Sequence, residues 1–259
     1  MEHYQSPKCQ GRTTVNCEIC GPIHLITIDR PHVVNRVDVE TARGLLDAFQ
    51  IFARDADARV AVLTGRGEAF CAGADLEELA GEDPRRDWAV SDIPPMGLSR
   101  LQLSKPVIAA VEGPAIGGGL ELALWCSLRV ASETAIFSII DRRRNLPLVD
   151  GGTVRLPRLI GQGRALDMII TGRQVPAVEA RQIGLVNRIV PRGEALGAAM
   201  ELARSIAVLP SEAIACDIAA AERQWALPLD LALDCEFSEA VSVPLGSHVQ
   251  RASSEASSA

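Results

Sequence analysis

Lysine is almost absent from this 259-residue chain: Lys8 and Lys105 are its two lysines, and arginine carries the rest of the positive charge. Aromatic residues are only 3% of the total, which implies an aliphatic core and few rings for stacking on bases. A net charge of −7 disfavours nucleic acid or an anionic membrane surface as a partner. An anionic ligand therefore needs local rather than overall attraction. No apolar run reaches the ~18–20 residues of a membrane span. The polar start, MEHYQSPKCQGRTT, has no hydrophobic segment of a secretory signal. The seven cysteines are odd in number and scattered, with Cys71 and Cys126 inside apolar segments, so free thiols in a reducing cytoplasm are expected. Cys17-x-x-Cys20 resembles half a zinc knuckle, but the four histidines are dispersed and no second ligand pair completes a tetrahedron. These two read as strand cysteines, and no metal site is expected.

What the chain does have is concentrated in residues 105–133. Apolar Val107–Val111 runs into Glu-Gly-Pro, three glycines follow at Gly117, Gly118 and Gly119, and a second apolar run, residues 120–126, contains one charge, Glu121. The first run reads as a buried strand and the second as a helix apolar on every face, hence interior. A lone carboxylate there costs several kcal/mol, of order 2 or more, unless it is hydrogen-bonded or protonated. The glycines let another group approach bare N–H donors at the helix start, where the dipole favours negative charge. Glu121 is thus either part of a working site or a satisfied core glutamate beside a glycine-rich turn.

Elsewhere, residues 15–20 and 23–28 alternate like a hairpin about Gly21-Pro22. Residues 38–57 carry an amphipathic helical stripe with Asp38 placed to cap it. Residues 59–64 read as a buried strand, followed by a glycine-rich turn and Phe70-Cys-Ala-Gly-Ala-Asp-Leu, from which a short helix starts near Asp75. That makes a second loop-to-helix junction with free N–H groups. Residues 81–95 mix charge and proline, as a lid, a binding segment or a disordered stretch does. Strands are expected at 103–111, 128–131 and 186–190, helices at 154–160, 164–171 and 178–185. Beyond Pro191 the pattern is helix only, at 194–209, 211–225 and 230–241, broken by Pro210 and Pro228. No repeat of fixed period is visible. Strand–helix alternation indicates an α/β fold with parallel pairing.

Three blocks of the chain resemble the crotonase (enoyl-CoA hydratase/isomerase) superfamily: Ala69-Phe-Cys-Ala-Gly-Ala-Asp-Leu; Lys105-Pro-Val-Ile-Ala-Ala-Val-Glu-Gly with Gly117-Gly-Gly-Leu-Glu-Leu-Ala; and Asp150-Gly-Gly-Thr with Arg155-Leu-Pro-Arg-Leu-Ile-Gly. Asn35 and Asp38 match the family's Asn-x-x-Asp. The resemblance implies a spiral of ββα units in a core spanning residues 1–192, with residues 1–14 loosely attached. It further implies a C-terminal helical trimerisation region at 193–246, here followed by a flexible tail at 247–259, and a homotrimer or hexamer. It implies an acyl-CoA thioester substrate and no cofactor beyond the coenzyme A that the substrate carries. The family's oxyanion hole falls on the amides of Ala74 and Gly118. Ala72, Gly73, Asp75, Leu76 and Gly117 fall among its CoA- and substrate-binding positions.

Glu121 matches the first of the two glutamates that family hydratases use to add water across an enoyl double bond. The second position, counted back from Gly151-Gly152-Thr153 without a gap, falls on Asp141, whose carboxyl is one methylene shorter. Asp141 is either the second acid or an ion-pair partner of the neighbouring arginines. Asp150 is the alternative acid, or a helix N-cap. Glu77 stands where many relatives place a lysine near the CoA phosphates, so Arg85, Arg86 or a neighbouring subunit's arginine would have to substitute. Ser127 replaces a usual aspartate. Three functions follow: hydration of a 2-enoyl-CoA, isomerisation of the double bond, or acyl-CoA binding without turnover.

Overall fold

The computed structural model describes residues 14–75, 93–140 and 145–244. Strands β1 (Val15–Cys20) and β2 (Ile23–Ile28) form the expected hairpin, with Cys20 opposite Ile23 and Gly21 turning at φ 62°. Helix α1 (Val39–Arg54) follows, then β3 (Val60–Gly65), β4 (Val107–Val111), β5 (Pro114–Ile116), helix α2 (Gly118–Trp125), β6 (Leu128–Ser132) and β7 (Ile136–Ser138). The chain continues through α3 (Gly152–Ile160), α4 (Gln162–Thr171), β8 (Gln174–Pro176), α5 (Ala177–Gln182) and β9 (Arg188–Val190). Helices α6 (Ala195–Ala207), α7 (Ser211–Arg223) and α8 (Leu229–Ala240) complete it.

The main sheet has the order β1-β2-β3-β4-β6-β9, parallel from β2 onward, and a smaller sheet has the order β5-β7-β8. Successive strands of the middle units alternate between the two sheets: β4 and β6 lie in the large one, β5 and β7 in the small one. The strand period of two sorts side chains onto two cores. Ala61, Leu63, Ala109 and Val111 face the cluster built on α1 and α2, while Val60, Val62, Ile108 and Ala110 face α6 through Ala199, Leu202 and Ala203.

Helix α1 begins where sequence places it. The Thr41 N–H donates to Asp38 Oδ1 at 2.6 Å, and Asp38 Oδ2 lies 3.0 Å from the buried Arg30 guanidinium. Its C-terminal end is capped by a residue from far along the chain: Lys105 Nζ donates to the carbonyls of Phe52 (3.1 Å) and Asp55 (2.5 Å). A cation at a helix C-terminus is favoured by the dipole and satisfies orphan carbonyls.

Two expectations need correction. The strand read over 103–111 starts only at Val107: Pro106 has no N–H to enter a ladder, and Lys105 is engaged by α1. The strand read over 186–190 is limited to Arg188–Val190: the Val186 N–H is turned back to the Ala180 carbonyl, and contact with β6 begins only at the Asn187 N–H, which donates to Arg129 O. The small sheet was not anticipated, since three-residue strands carry too little pattern. Helices α7 and α8 contain no buried residue, and Leu229, Phe237 and Val241 are respectively 76%, 70% and 66% exposed.

Asp38→Ala removes the α1 cap and one of the carboxylates that neutralise buried Arg30. It is expected to lower unfolding free energy by about 3 kcal/mol in urea titration.

Candidate active site

The glycine run between β5 and α2 is required by close approach. Gly117 adopts φ 54°, outside the range of ordinary side chains. A methyl on Gly119 would lie 2.0 Å from the Cys71 carbonyl oxygen, and one on Gly118 would lie 2.5 Å from Met96 Sδ. The 71–75 loop is therefore pressed against the first turn of α2. Gly73 turns that loop at φ 93°, and a methyl there would stand 3.2 Å from the Gly118 nitrogen.

The 71–75 loop is stitched down by its own amides. Cys71 N–H donates to Pro114 O, Ala72 N–H to Val34 O, and Asp75 N–H to Val37 O, while Gly73 N–H reaches Cys71 Sγ at 3.4 Å. Gly117 N–H donates to Ser138 O. Ala74 and Gly118 differ: neither N–H has an acceptor among the described residues. Gly118 is the first residue of α2, whose early donors lack helical partners. So of the main-chain groups named from sequence, Ala72, Gly73 and Gly117 use their N–H groups to hold the scaffold, and Ala74 and Gly118 leave theirs open. Asp75, expected among the binding positions, turns its carboxylate to Arg30 (3.0 Å) and Arg36 (3.3 Å), the longer one an ion pair without aligned hydrogen-bond geometry.

Glu121 sits one turn into α2 and is 4% exposed. Its Oε1 accepts from the Gly152 N–H at 2.8 Å and from the Asp150 N–H at 3.0 Å. Both donors stand at the N-terminus of α3, where the dipole favours negative charge. Gly152 permits this, since a methyl there would lie 3.0 Å from Glu121 Oε1. Hydrogen bonds to a charged group contribute roughly 1.5–3 kcal/mol each, enough to offset burial of the carboxyl.

Asp150 is 2% exposed and does not cap α3. That cap position is Gly151, at φ 95°, with no side-chain bond. The Asp150 side chain points elsewhere: Oδ1 accepts from the Met96 N–H at 3.2 Å. Burial raises the Asp150 carboxyl above the ordinary aspartate value, opposed only in part by the Ser99 hydroxyl, the Met96 N–H and the charges of Arg155 and Arg100. A cavity of about 30 Å³ is lined by Ala74, Gly118, Glu121, Asp150, Met96 and Leu148 among others. The structure thus brings both open amides and two buried carboxyl groups to one small space.

Asp141 and Leu76 lie outside the described residues, as do Glu77, Arg85 and Arg86. Sequence reasoning missed Met96, whose thioether covers Gly118 and whose N–H holds Asp150. Nothing in its surroundings, two prolines before and Gly97 after, marks it. It also missed Arg30, which joins Asp38 to Asp75 and so ties α1 to the 71–75 loop.

A sequence profile described as enoyl-CoA hydratase/isomerase matches residues 18–251. The chain is 41% identical over 189 residues to a carnitinyl-CoA dehydratase of Salmonella paratyphi A, covering 72% of this chain and 71% of that one. It is 38% identical over 190 residues to enoyl-CoA hydratase EchA19 of Mycobacterium tuberculosis, covering 72% and 71%. A crystal structure of an enoyl-CoA hydratase from Mycobacterium tuberculosis H37Rv superposes with a TM-score of 0.86 at 34% identity, over 93% of this chain and 94% of that one. With this fold and this match, the chain belongs to the enoyl-CoA hydratase/isomerase family, the crotonase superfamily. It is an enzyme of that type.

The glycines separate close approach from mere flexibility. Gly119→Ala drives a methyl into backbone and is expected to lower the melting temperature by several degrees. Gly163→Ala, on α4 with nothing within 4 Å, is expected to raise stability by about 0.5–1 kcal/mol in the same thermal scan.

Proposed function

We propose that this enzyme adds water across the 2,3 double bond of an enoyl-CoA thioester. The observation that carries the reading is the 30 Å³ cavity bounded by two open amides and two buried carboxyl groups. A space of that size suits one ordered water, which needs two to four polar partners. In the proposed reaction the Ala74 and Gly118 N–H groups hold the thioester oxygen as negative charge develops on it. Preorganised donors of this kind contribute roughly 3–4 kcal/mol each.

Glu121, steadied by two amide donors, accepts a proton from the water as its oxygen bonds to Cβ. Asp150, pushed toward its protonated form by burial, delivers a proton to Cα. Glu121 ends protonated and Asp150 ionised, and a proton returned between them resets the site. Asp150 takes this role because it lines the same cavity as Glu121, while Asp141 lies outside the described residues. No cofactor beyond the substrate's coenzyme A enters this scheme. The apolar faces of α7 and α8 support a homotrimer or hexamer in which other copies cover them.

Crotonyl-CoA tests the reading. Loss of the conjugated thioester absorbance is expected with wild-type protein, falling at least ~100-fold in Glu121→Gln and in Asp150→Asn. Asp141→Asn losing as much while Asp150→Asn retains full rate would transfer the second role to Asp141. Binding measured by calorimetry without absorbance change in the wild type would instead indicate a binding protein, and conversion of a 3-enoyl-CoA alone an isomerase.

The raised Asp150 carboxyl gives a pH signature with a definite sign. A proton donor is active below its own pKa, so kcat/KM should fall on the alkaline side, at a pH above the ordinary aspartate range. That limb should disappear from the residual activity of Asp150→Asn.

A further inference from the structure

Asp150 is enclosed by a closed circuit of bonds, and the residue that completes it is Arg155. From α3, Arg155 Nη1 donates to the Asp150 carbonyl at 3.1 Å and Nη2 to the Ser99 carbonyl at 2.7 Å. Ser99 lies three residues beyond Met96, whose N–H returns to the Asp150 carboxyl at 3.2 Å. Main chain of Asp150, guanidinium, main chain of 96–99 and carboxyl of Asp150 therefore form one ring. One end of the guanidinium comes close to Gly151, where a methyl would stand 2.1 Å from Nη1, so a side chain there would push the clasp aside.

Asp150 and Glu121 line the 30 Å³ cavity. Arg155 lines a different space, a cleft of about 530 Å³ that it shares with Ser99, Gly151, Arg158, Glu222 and Trp225 among others, reaching the C-terminal helices. Glu222 of α7, Glu121 and Asp150 all attract the Arg155 guanidinium. Among the described residues, the charged groups around Asp150 are Arg155 of α3, Arg100 of the preceding loop and Glu121 of α2, with Glu222 acting on Arg155.

We propose that Arg155 is a positioning residue: its two-carbonyl clasp locks the 150 turn onto the 96–99 segment and so holds the Asp150 carboxyl in place beside the catalytic cavity. The planar fork suits two carbonyls at once, and a lysine ammonium does so poorly. The kinetic part of this inference rests on the hydration reading; the titration part does not.

The test compares wild type, Arg155→Gln and Arg155→Lys. Infrared difference spectra against Asp150→Asn follow the Asp150 carboxylic band through a pH titration, without turnover. In Arg155→Gln the band is expected to vanish at higher pH than in wild type, because the guanidinium charge that opposes the effect of burial on the carboxyl is lost. With crotonyl-CoA, kcat is expected to fall about 10- to 100-fold while KM changes less than about threefold. The alkaline limb should move in the same direction as the band. Arg155→Lys should retain the wild-type melting temperature and fall between the two in both readouts. Arg155→Gln combined with Asp150→Asn should be no slower than Asp150→Asn alone. An unmoved band with only a lowered melting temperature overturns the proposal, as does full additivity with Asp150→Asn. If wild type shows no hydration but the band still shifts, the hydration reading fails and the clasp stands.

Discussion

The carboxylate of Glu121 accepting two amide hydrogens from the mouth of α3 is the interaction on which the site depends. It joins two glycine turns more than 25 residues apart in sequence through one oxygen atom. An interior acid on a helix apolar all round is otherwise costly. Here the cost is offset by donors that α3 cannot use internally. The same bonds fix the Asp150–Gly152 turn relative to α2, and so fix the second carboxyl relative to the open amides. One contact thereby satisfies a buried charge, caps a helix and sets the cavity's dimensions.

Around it, arginine performs the bracing that few lysines are present to do. Arg30 ties α1 to the 71–75 loop through Asp38 and Asp75, and Arg129 gathers the carbonyls of Leu185, Ala123 and Cys126 beneath α2. Arg155 braces the 150 turn against the 99 carbonyl. Each uses several guanidinium hydrogens in fixed directions, a geometry that an ammonium lacks. The buried Arg129 guanidinium is held by peptide carbonyls, including those at the C-terminal end of α2, where the dipole favours a cation. The residue-type bias visible in composition is thus expressed as main-chain bracing near the site.

Much of the fold was legible in the sequence. The hairpin about Gly21-Pro22, the Asp38-capped helix, the buried strand Val107–Val111 and the interior helix bearing Glu121 all formed close to where their periodicity and caps put them. Val60, Val62, Ala61 and Leu63 alternate between two cores, which a run of uninterrupted apolar residues hints at without resolving. The small sheet and the precise start of β4 were not legible, because three-residue strands and a proline-preceded edge depend on pairing partners rather than on local pattern. The reading of Asp150 as a helix cap was reasonable for its residue type, yet the left-handed Gly151 turns its side chain away from the helix toward Met96.

What the sequence determined alone is what local chemistry determines: most of the strands and helices, the glycines at the start of α2, and an acid placed one turn beyond an anion-friendly helix start. These follow from side-chain period, backbone freedom and the orphan donors at helix ends, all properties of neighbours in the chain. What only the tertiary structure decided is which donors stay open and which carboxyl groups meet. Ala72, Gly73 and Gly117 lose their N–H groups to carbonyl or sulfur partners in the fold, Ala74 and Gly118 find no acceptor among the described residues, and Asp150 comes to share a cavity with Glu121. Those outcomes depend on segments far apart in sequence coming within hydrogen-bond distance, and no local pattern encodes a distance through space.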